Sequence, residues 1–311
     1  MTDFPLLTVF MISYNQQDYI IEALESVLNQ KTDFDFQIIL SDDCSTDRTQ
    51  MVVDNFLENH PKKNLVTFIK QEKNLGWMPN FIFTLQKCQD SGAKYIAMCE
   101  GDDFWTSDNK LQKQVNLLEE NPHVNLACHL YEELYNDGST EKFPYFRQDF
   151  FKENENFTFS QEDFEKFMRI QTMTIVFRAS ALDLNLRRKY KYYCDTHIKH
   201  HLLDHGLGLY TKDYDAVYRI HGNNVFMSLD VRKKTKFSYD VYKDLVINNH
   251  SVGYKDLLNL AMRDRINHEL KSKKTNIFRK YYRHLIWEQF QNTRSLAQLF
   301  KYISKGIFNT Q

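Results

Sequence analysis

Tyr95-Ile-Ala-Met-Cys-Glu-Gly-Asp-Asp-Phe-Trp105 joins an apolar run, Tyr95 to Cys99, to three carboxylates within four positions: Glu100, Asp102 and Asp103. The run reads as a buried strand, with Gly101 in the bend that follows it. Carboxylates crowded at a strand end do not favour stability, because each raises the cost of ionising the next. A positive partner is implied. A hard divalent cation, Mn²⁺ or Mg²⁺, is the natural one, since it takes one or two carboxylates and fills its other positions with water and substrate phosphates. A solvated acidic turn would be the better explanation if the segment stood alone, so its neighbours decide.

Upstream, Leu6 to Ile12 is a short apolar, β-rich run. Tyr19 to Gln30 carries apolar residues at Ile20, Ala23, Leu24, Val27 and Leu28, a helical spacing with Glu22 and Glu25 on the other face. Phe36 to Leu40 reads as the next strand, and Ser45-Thr-Asp47 as the cap of a helix from about Arg48 to Asn59. Leu65 to Lys70 reads as a third strand and Asn80 to Ser91 as a third helix, ahead of the Tyr95 strand. Such alternation predicts a doubly wound, mostly parallel sheet, whose ligand lies beyond the carboxyl ends of the strands. Four consecutive strand ends carry polar groups to that edge: Ser13-Tyr14-Asn15, Asp42-Asp43, Asn74-Leu-Gly76 and Glu100-Gly-Asp102-Asp103. One acidic turn is readily explained as surface, whereas four polar strand ends at one rim predict a nucleotide-type site.

Downstream, Asn109 to Asn121 reads as an amphipathic helix stopped by Pro122, and Val124 to Leu134 as a strand before the turn signal Asn136-Asp-Gly138. From there to about Phe159 the chain is aromatic and polar without period, which predicts a long loop or lid. Ser160-Gln-Glu-Asp163 is a capping box, Thr172 to Arg178 a strand, and Ser180 to Leu186 a short helix. Thr196 to Gly206 reads as a helix with Asp195 at its start. His197, His200, His201 and His205 resemble a metal cluster, but Lys199 interrupts them and all lie on one short helix, so an exposed polar face is expected. After a strand from Tyr210 to Val217 comes Tyr218-Arg-Ile-His-Gly222. There His221 either packs or, with Arg219, reaches a diphosphate or completes a metal shell.

The 311 residues, 42% hydrophobic and 26% charged, suffice for a sizeable core and for one large domain with an appendage, or two domains. A net charge of −1 argues against a chain-wide nucleic-acid footprint. Five dispersed cysteines with no C-x-x-C pair fit reduced thiols in a cytosolic protein, and not a disulfide framework or a zinc site. The first apolar run lacks a basic flank and reads as a strand and not a signal peptide, and no window is long and apolar enough to span a membrane. Lys271 to Gln311 holds nine Lys or Arg against Glu288 alone, a net of +8. In that tail Ile277, Phe278, Tyr281, Tyr282, Leu285, Ile286 and Phe290 recur at helical spacing. A basic aromatic helix of this kind suits an anionic bilayer, or packs on the main domain or on a second subunit of a homodimer.

Phe10-Met-Ile-Ser-Tyr-Asn15, Tyr19 to Gln30, Ser41-Asp-Asp-Cys-Ser-Thr-Asp-Arg-Thr49, Asn74-Leu-Gly76 with Asn80, and Glu100-Gly-Asp-Asp103 together resemble the family 2 glycosyltransferases of the GT-A fold. Asp195 and Tyr218-Arg-Ile-His221 extend the resemblance more weakly, to cover about residues 6 to 225. The first block with Asp-Asp-x-Ser-x-Asp-x-Thr is specific as a set. Cys44 stands where the family usually has glycine, and Glu100 where the common metal motif has its first aspartate.

The resemblance implies an α/β catalytic domain over 1–228, with a Rossmann-like, mostly parallel sheet flanked by helices. Its nucleotide-sugar half would be 1–105 and its acceptor half 106–228, followed by a helical basic extension over 229–311. It also implies a bacterial surface-polysaccharide enzyme that moves a sugar from a nucleotide sugar, a UDP-sugar first, to a hydroxyl of a glycan or lipid-linked acceptor. Transfer would be metal-dependent and inverting, in one displacement. Asp42 or Asp43 would bond base and ribose, while Ser13, Asn15, Asn74, Gly76 and Asn80 line the pocket. Glu100 and Asp102 would face ribose and metal, with Asp102 the direct ligand and Asp103 turned to the sugar. Arg219 would reach the diphosphate and His221 would complete the metal shell. Asp195 would be the base that takes the acceptor's proton. The acceptor would contact the 136–160 segment and Thr172-Met-Thr174, and the location would be cytoplasmic or peripheral at the inner face of the plasma membrane. Rival readings are a non-catalytic nucleotide-sugar or glycan binder and a nucleotidyltransferase, although Ser13-Tyr-Asn-Gln-Gln lacks the latter's glycine-rich basic loop.

Overall fold

The computed structural model describes residues 4–142, 156–167, 169–222, 230–249, 253–271, 280–293 and 298. The chain forms two compact units, one of residues 1–186 with 193–221 and the other of 187–192 with 222–311.

The first unit is built on one mixed sheet. Its strands are β1 (Leu7–Ser13), β2 (Phe36–Asp42), β3 (Val66–Lys70), β4 (Tyr95–Met98), β5 (Phe104–Trp105), β6 (Val124–Tyr135), β7 (Thr140–Lys142), β8 (Phe157–Phe159), β9 (Val176–Arg178) and β10 (Leu207–Ile220). The order is β3-β2-β1-β4-β9-β6-β10-β5, with β7 on β6 and β8 on β10. β3, β2, β1 and β4 are parallel, as the alternating pattern predicts. β9 then runs antiparallel between β4 and β6. Three strands of this parallel half come before β4, so all four carboxyl ends open on one edge.

Helices α1 (Ile20–Leu28), α2 (Thr49–Glu58), α3 (Trp77–Asp90), α4 (Lys110–Glu120), α5 (Gln161–Phe167) and α6 (Asp195–Asp204) accompany the sheet. α1 buries Ile20, Ala23, Leu24, Val27 and Leu28, the stripe read from its spacing. β1 is covered on both faces: Val9 and Met11 join the cluster that holds α1, while Phe10 meets Phe81 of α3 edge to face at 5.1 Å. This two-sided burial is why β1 shows no polar alternation.

Three segments depart from expectation. Thr172–Thr174 is a 3₁₀ turn that delivers the chain to β9, and the next stretch forms 3₁₀ turns at Ala179–Ala181 and Leu184–Lys189 instead of one α-helix. β10 continues through Ile220, parallel to β6, with register shifts near Tyr214 that re-aim its last residues. Part of the long loop expected after Gly138 is strand, β7 and β8, and 143–155 lie outside the described residues.

The second unit contains α7 (Val231–Asn249), α8 (Gly253–Lys271) and α9 (Lys280–Thr293). Tyr239, Leu258, Ala261, Met262, Ile266 and Ile286 form its core. Glu288 accepts from the Tyr239 hydroxyl at 2.7 Å and pairs with Lys243 at 2.8 Å. Part of the apolar stripe of the tail is therefore absorbed by its own helical unit, although Trp287 remains 54% exposed. Ile277 and Phe278 lie outside the described residues. Among the described residues, no helix is long and apolar enough to cross a membrane.

Candidate active site

Pairing with β1 carries on past the end of β4 into the acidic turn: Cys99 N donates to the Phe10 carbonyl and Gly101 N to the Ile12 carbonyl, both at 3.0 Å. A Cβ on Gly101 would lie 2.9 Å from that Ile12 oxygen and would collide with Gln16 and Ile20. Glycine is required here by close approach and not by a left-handed bend. One oxygen from each of Glu100, Asp102 and Asp103 lies within 4.8 Å of the others, and among the described residues no second group of three metal-type ligands comes this close.

Asp103 is fully buried. Its Oδ1 accepts from Arg219 N at 2.9 Å, while its Oδ2 has no hydrogen-bond partner among the described residues. Burial, then the charges of Asp102 and Glu100, push its carboxyl well above the usual range. Burial, then Asp102 and Asp195, push Glu100 up to about 8 against the opposing pull of Lys199. A buried polar atom without a partner beside two crowded carboxylates suits a divalent cation. The residues present therefore fit Mn²⁺ or Mg²⁺.

The end of β10 closes one side of this turn. His221 Nε2 lies 2.9 Å from Asp102 Oδ2, and its ring lies against Tyr19 at 4.6 Å. Arg219 Nε donates to the Asp102 carbonyl at 3.0 Å, and its guanidinium pairs with Glu22 at 2.6 Å over the rings of Tyr19 and Phe104. Arg219 thus clamps the acidic turn.

The residues expected on the nucleotide side fall into two groups. Asp42 is fully buried, and its oxygens accept from Ser13 Oγ at 3.0 Å, Ser45 Oγ at 2.5 Å, Ser45 N at 2.9 Å and Gln50 Nε2 at 2.7 Å. The Asn15 side-chain oxygen accepts from Thr46 N at 2.8 Å, and its backbone N donates to Ser45 Oγ at 2.9 Å. Asn80 is 2% exposed, with Oδ1 accepting from Ser41 Oγ at 2.7 Å and from Gln71 at 3.3 Å. Asp42 and Asn80 are thus buried and hydrogen-bonded within their own chain, where they brace the rim on which the expected donor contacts lie.

Asp43 and the turn after β3 do come together. Asp43 accepts from Leu75 N at 2.7 Å and Gly76 N at 2.9 Å, and Asn74 caps Gly76 N at 3.0 Å. Burial outweighs these two donors and lifts the Asp43 carboxyl above its ordinary value. Cys44 sits at φ 58°, in the left-handed region where a side chain is strained. The same backbone requirement accounts for a glycine at that position in the resembling pattern.

On the opposite side, Asp195 is the first residue of α6, with Cys194 as its N-cap. Its Oδ2 receives Lys199 Nζ at 2.6 Å. Burial works against the charge on Asp195, but the Lys199 ammonium, with the Thr196 N–H and His197, holds the carboxyl below its usual range. Asp195 is close enough to the acidic turn for its charge to act on Glu100.

The histidines of α6 correct another expectation, because His197, His200 and His201 are buried and only His205, with 86% of its side chain exposed, faces water. α6 lies against β6, β10 and α5, leaving no polar face there. His200 meets Gln161 at 2.6 Å and Glu165 at 3.5 Å, both from α5. Thr172, Met173 and Thr174 are buried too, and the Met173 carbonyl accepts the Trp105 indole N–H at 2.9 Å, so they underlie the site and do not face an acceptor. Lys199 escaped the sequence reading as an interruption among histidines. Its signal was the i,i+4 spacing from Asp195.

A sequence model described as glycosyl transferase family 2 matches residues 8–184. An uncharacterized protein of Mycobacterium tuberculosis is 36% identical over 139 residues, which cover 44% of this chain and 39% of that protein. The dTDP-rhamnosyl transferase RfbG of Shigella flexneri is 30% identical over 109 residues, covering 35% of this chain and 36% of that one. The chain thus spans about two fifths of the length of the curated relatives it matches. Among solved structures, S. aureus TarS 1–349 in complex with UDP-GlcNAc superposes with a TM-score of 0.63 at 15% identity, over 97% of this chain and 88% of that one. The mannosyltransferase PcManGT from Pyrobaculum calidifontis, in complex with GDP-Man and Mn²⁺, gives 0.52 at 13% identity, over 100% and 89%. These likenesses show the GT-A fold.

Proposed function

The chain belongs to glycosyl transferase family 2, and from that membership we propose that it moves a sugar from a UDP-sugar to a hydroxyl of a glycan or lipid-linked acceptor, metal-dependently and with inversion. The observation that carries this reading is the pairing of a buried acidic turn, whose Asp103 Oδ2 has no partner among the described residues, with Asp195, held by Lys199, near it.

Asp102 and His221 would hold the cation, with Glu100 and Asp103 completing the donor side. Bound there, Mn²⁺ or Mg²⁺ supplies Lewis-acid stabilisation of charge on the diphosphate leaving group. Asp43 and the Asn74-Leu-Gly76 turn bound the nucleotide pocket, with Ser13 and Asn15 holding the rim that frames it. Asp195 takes the proton from the acceptor hydroxyl as it attacks from the face opposite the diphosphate. Single in-line displacement inverts the anomeric carbon. Residues 1–228 would carry this chemistry. The extension 229–311, basic beyond residue 271, would place the protein on the cytoplasmic face of an anionic membrane, where lipid-linked acceptors lie.

Thermal-shift measurement against UDP-, GDP- and dTDP-sugars with Mn²⁺ tests the donor assignment, because a ligand bound only by the folded state raises Tm by mass action. A UDP-sugar is expected to give the largest rise, followed by UDP release on incubation. Binding without release or transfer for any donor would instead favour a non-catalytic binder.

A further inference from the structure

We infer that Lys199 is a positioning residue for Asp195, whose ammonium fixes the orientation and the negative charge of that carboxylate beside the acidic turn. Lys199 Nζ donates to Asp195 Oδ2 at 2.6 Å and to the Ile170 carbonyl at 2.6 Å. Its side chain is 5% exposed while that of Asp195 is 32% exposed. The base therefore reaches solvent and its partner does not. A lysine this deep is costly to bury unless it is paired and hydrogen-bonded, so the position is not one that solubility or helix propensity would fill.

The carbonyl it grips belongs to the chain entering the Thr172–Thr174 turn, so the ammonium is anchored outside α6 as well as within it. A surface i,i+4 pair can rotate freely, whereas the lysine of this one is held by the Ile170 carbonyl as well.

The titratable groups around the pair leave Lys199 as the cation. Glu100 comes from the acidic turn, Cys128 from β6, Cys194 from the N-cap of α6 and His197 from α6 itself. Burial, then the neighbouring His201, hold His197 neutral, pushed down to about 3, and burial pushes both thiols up. Without Lys199, Asp195 and Glu100 would be two neighbouring carboxylates with no cation between them, and like charges so placed disfavour ionisation of both.

The inference rests on Asp195 being the base, and four variants separate the two. Assays follow UDP release, with water as acceptor, from the UDP-sugar that raises Tm most in the presence of Mn²⁺. Lys199→Met is expected to lower kcat about 10- to 100-fold with donor KM within about twofold. It should also move the acidic limb of kcat/KM upward by about one pH unit or more. Lys199→Arg, which keeps the charge, should hold that limb near its wild-type position. In an Asp195→Asn background, Lys199→Met should change nothing further. If Asp195→Asn is inactive while Lys199→Met keeps wild-type kcat and an unmoved acidic limb, the positioning role is wrong and the base stands. If Asp195→Asn itself transfers normally, the base assignment falls and the role of Lys199 with it. Should Lys199→Met not fold, Lys199→Gln carries the same comparison, its amide retaining a donor without the charge.

Discussion

Two aspartate-rich strand ends on one rim are built in opposite ways. At the end of β2, Asp42 has four donors on its two oxygens, all supplied by residues within the first fifty of the chain. After β4, Asp103 is as deeply buried yet keeps one oxygen without a partner among the described residues, and its neighbours add repulsion in place of donors. Residue type alone does not separate the two. Satisfaction does: a saturated carboxylate shapes a loop, and an unsatisfied one beside other carboxylates awaits something from outside.

The widest test of that contrast removes each carboxylate in turn. Asp102→Ala should reduce transfer by about 10³-fold or more, since stabilisation of the leaving group is worth several kcal/mol, while leaving the protein folded. Asp42→Asn should do the reverse in the first instance. It should lower folding stability by about 2–3 kcal/mol in urea unfolding, because the buried donors of Ser45, Ser13 and Gln50 would face an amide unable to accept from all of them. If Asp42→Asn were as stable as wild type and lost only donor binding, the division between strut and site would fail.

A second, smaller effect lies in pH. Glu100 has its folded-state value raised from 4.5 to about 8, so the stability it contributes is fully present below about 4.5 and is lost as pH rises through 8. Without cation, the acidic turn therefore weakens the fold between those limits. Protons and a cation compete for the same oxygens. The Tm increase from Mn²⁺ should accordingly be larger at pH 8 than at pH 6, and an increase that is independent of pH would place the ion elsewhere.

The smallest effect concerns Cys44 at φ 58°. Cys44→Gly relieves left-handed strain but loosens the unfolded chain, for a net gain of about 1 kcal/mol or less. A loss of stability on that change would mean that the thiol packs better than the backbone angle suggests.

Much of this architecture was legible from local pattern. The α1 stripe and the parallel strands announce themselves because their periodicity is set by neighbours a few residues away. The polar strand ends could be aligned on one edge for the same reason. The partners of those ends could not be read, since Asp43 meets Gly76 and Asp103 meets Arg219 across separations of 33 and 116 positions. The α6 histidines show the limit clearly. Their sequence has the polarity of a surface helix, and only packing against β6, β10 and α5 reveals that three of them are inside. Lys199 was hidden by the same polarity, and the glycine at 101 was read as a bend when it marks a close approach to β1.

Isothermal titration of Mn²⁺ into the protein saturated with UDP bears most directly on the acidic turn as the donor's cation site. Wild-type protein should bind the ion with stoichiometry near one per chain, and Asp102→Ala should bind none detectably at the same concentrations. Equal Mn²⁺ binding by both proteins would contradict the assignment.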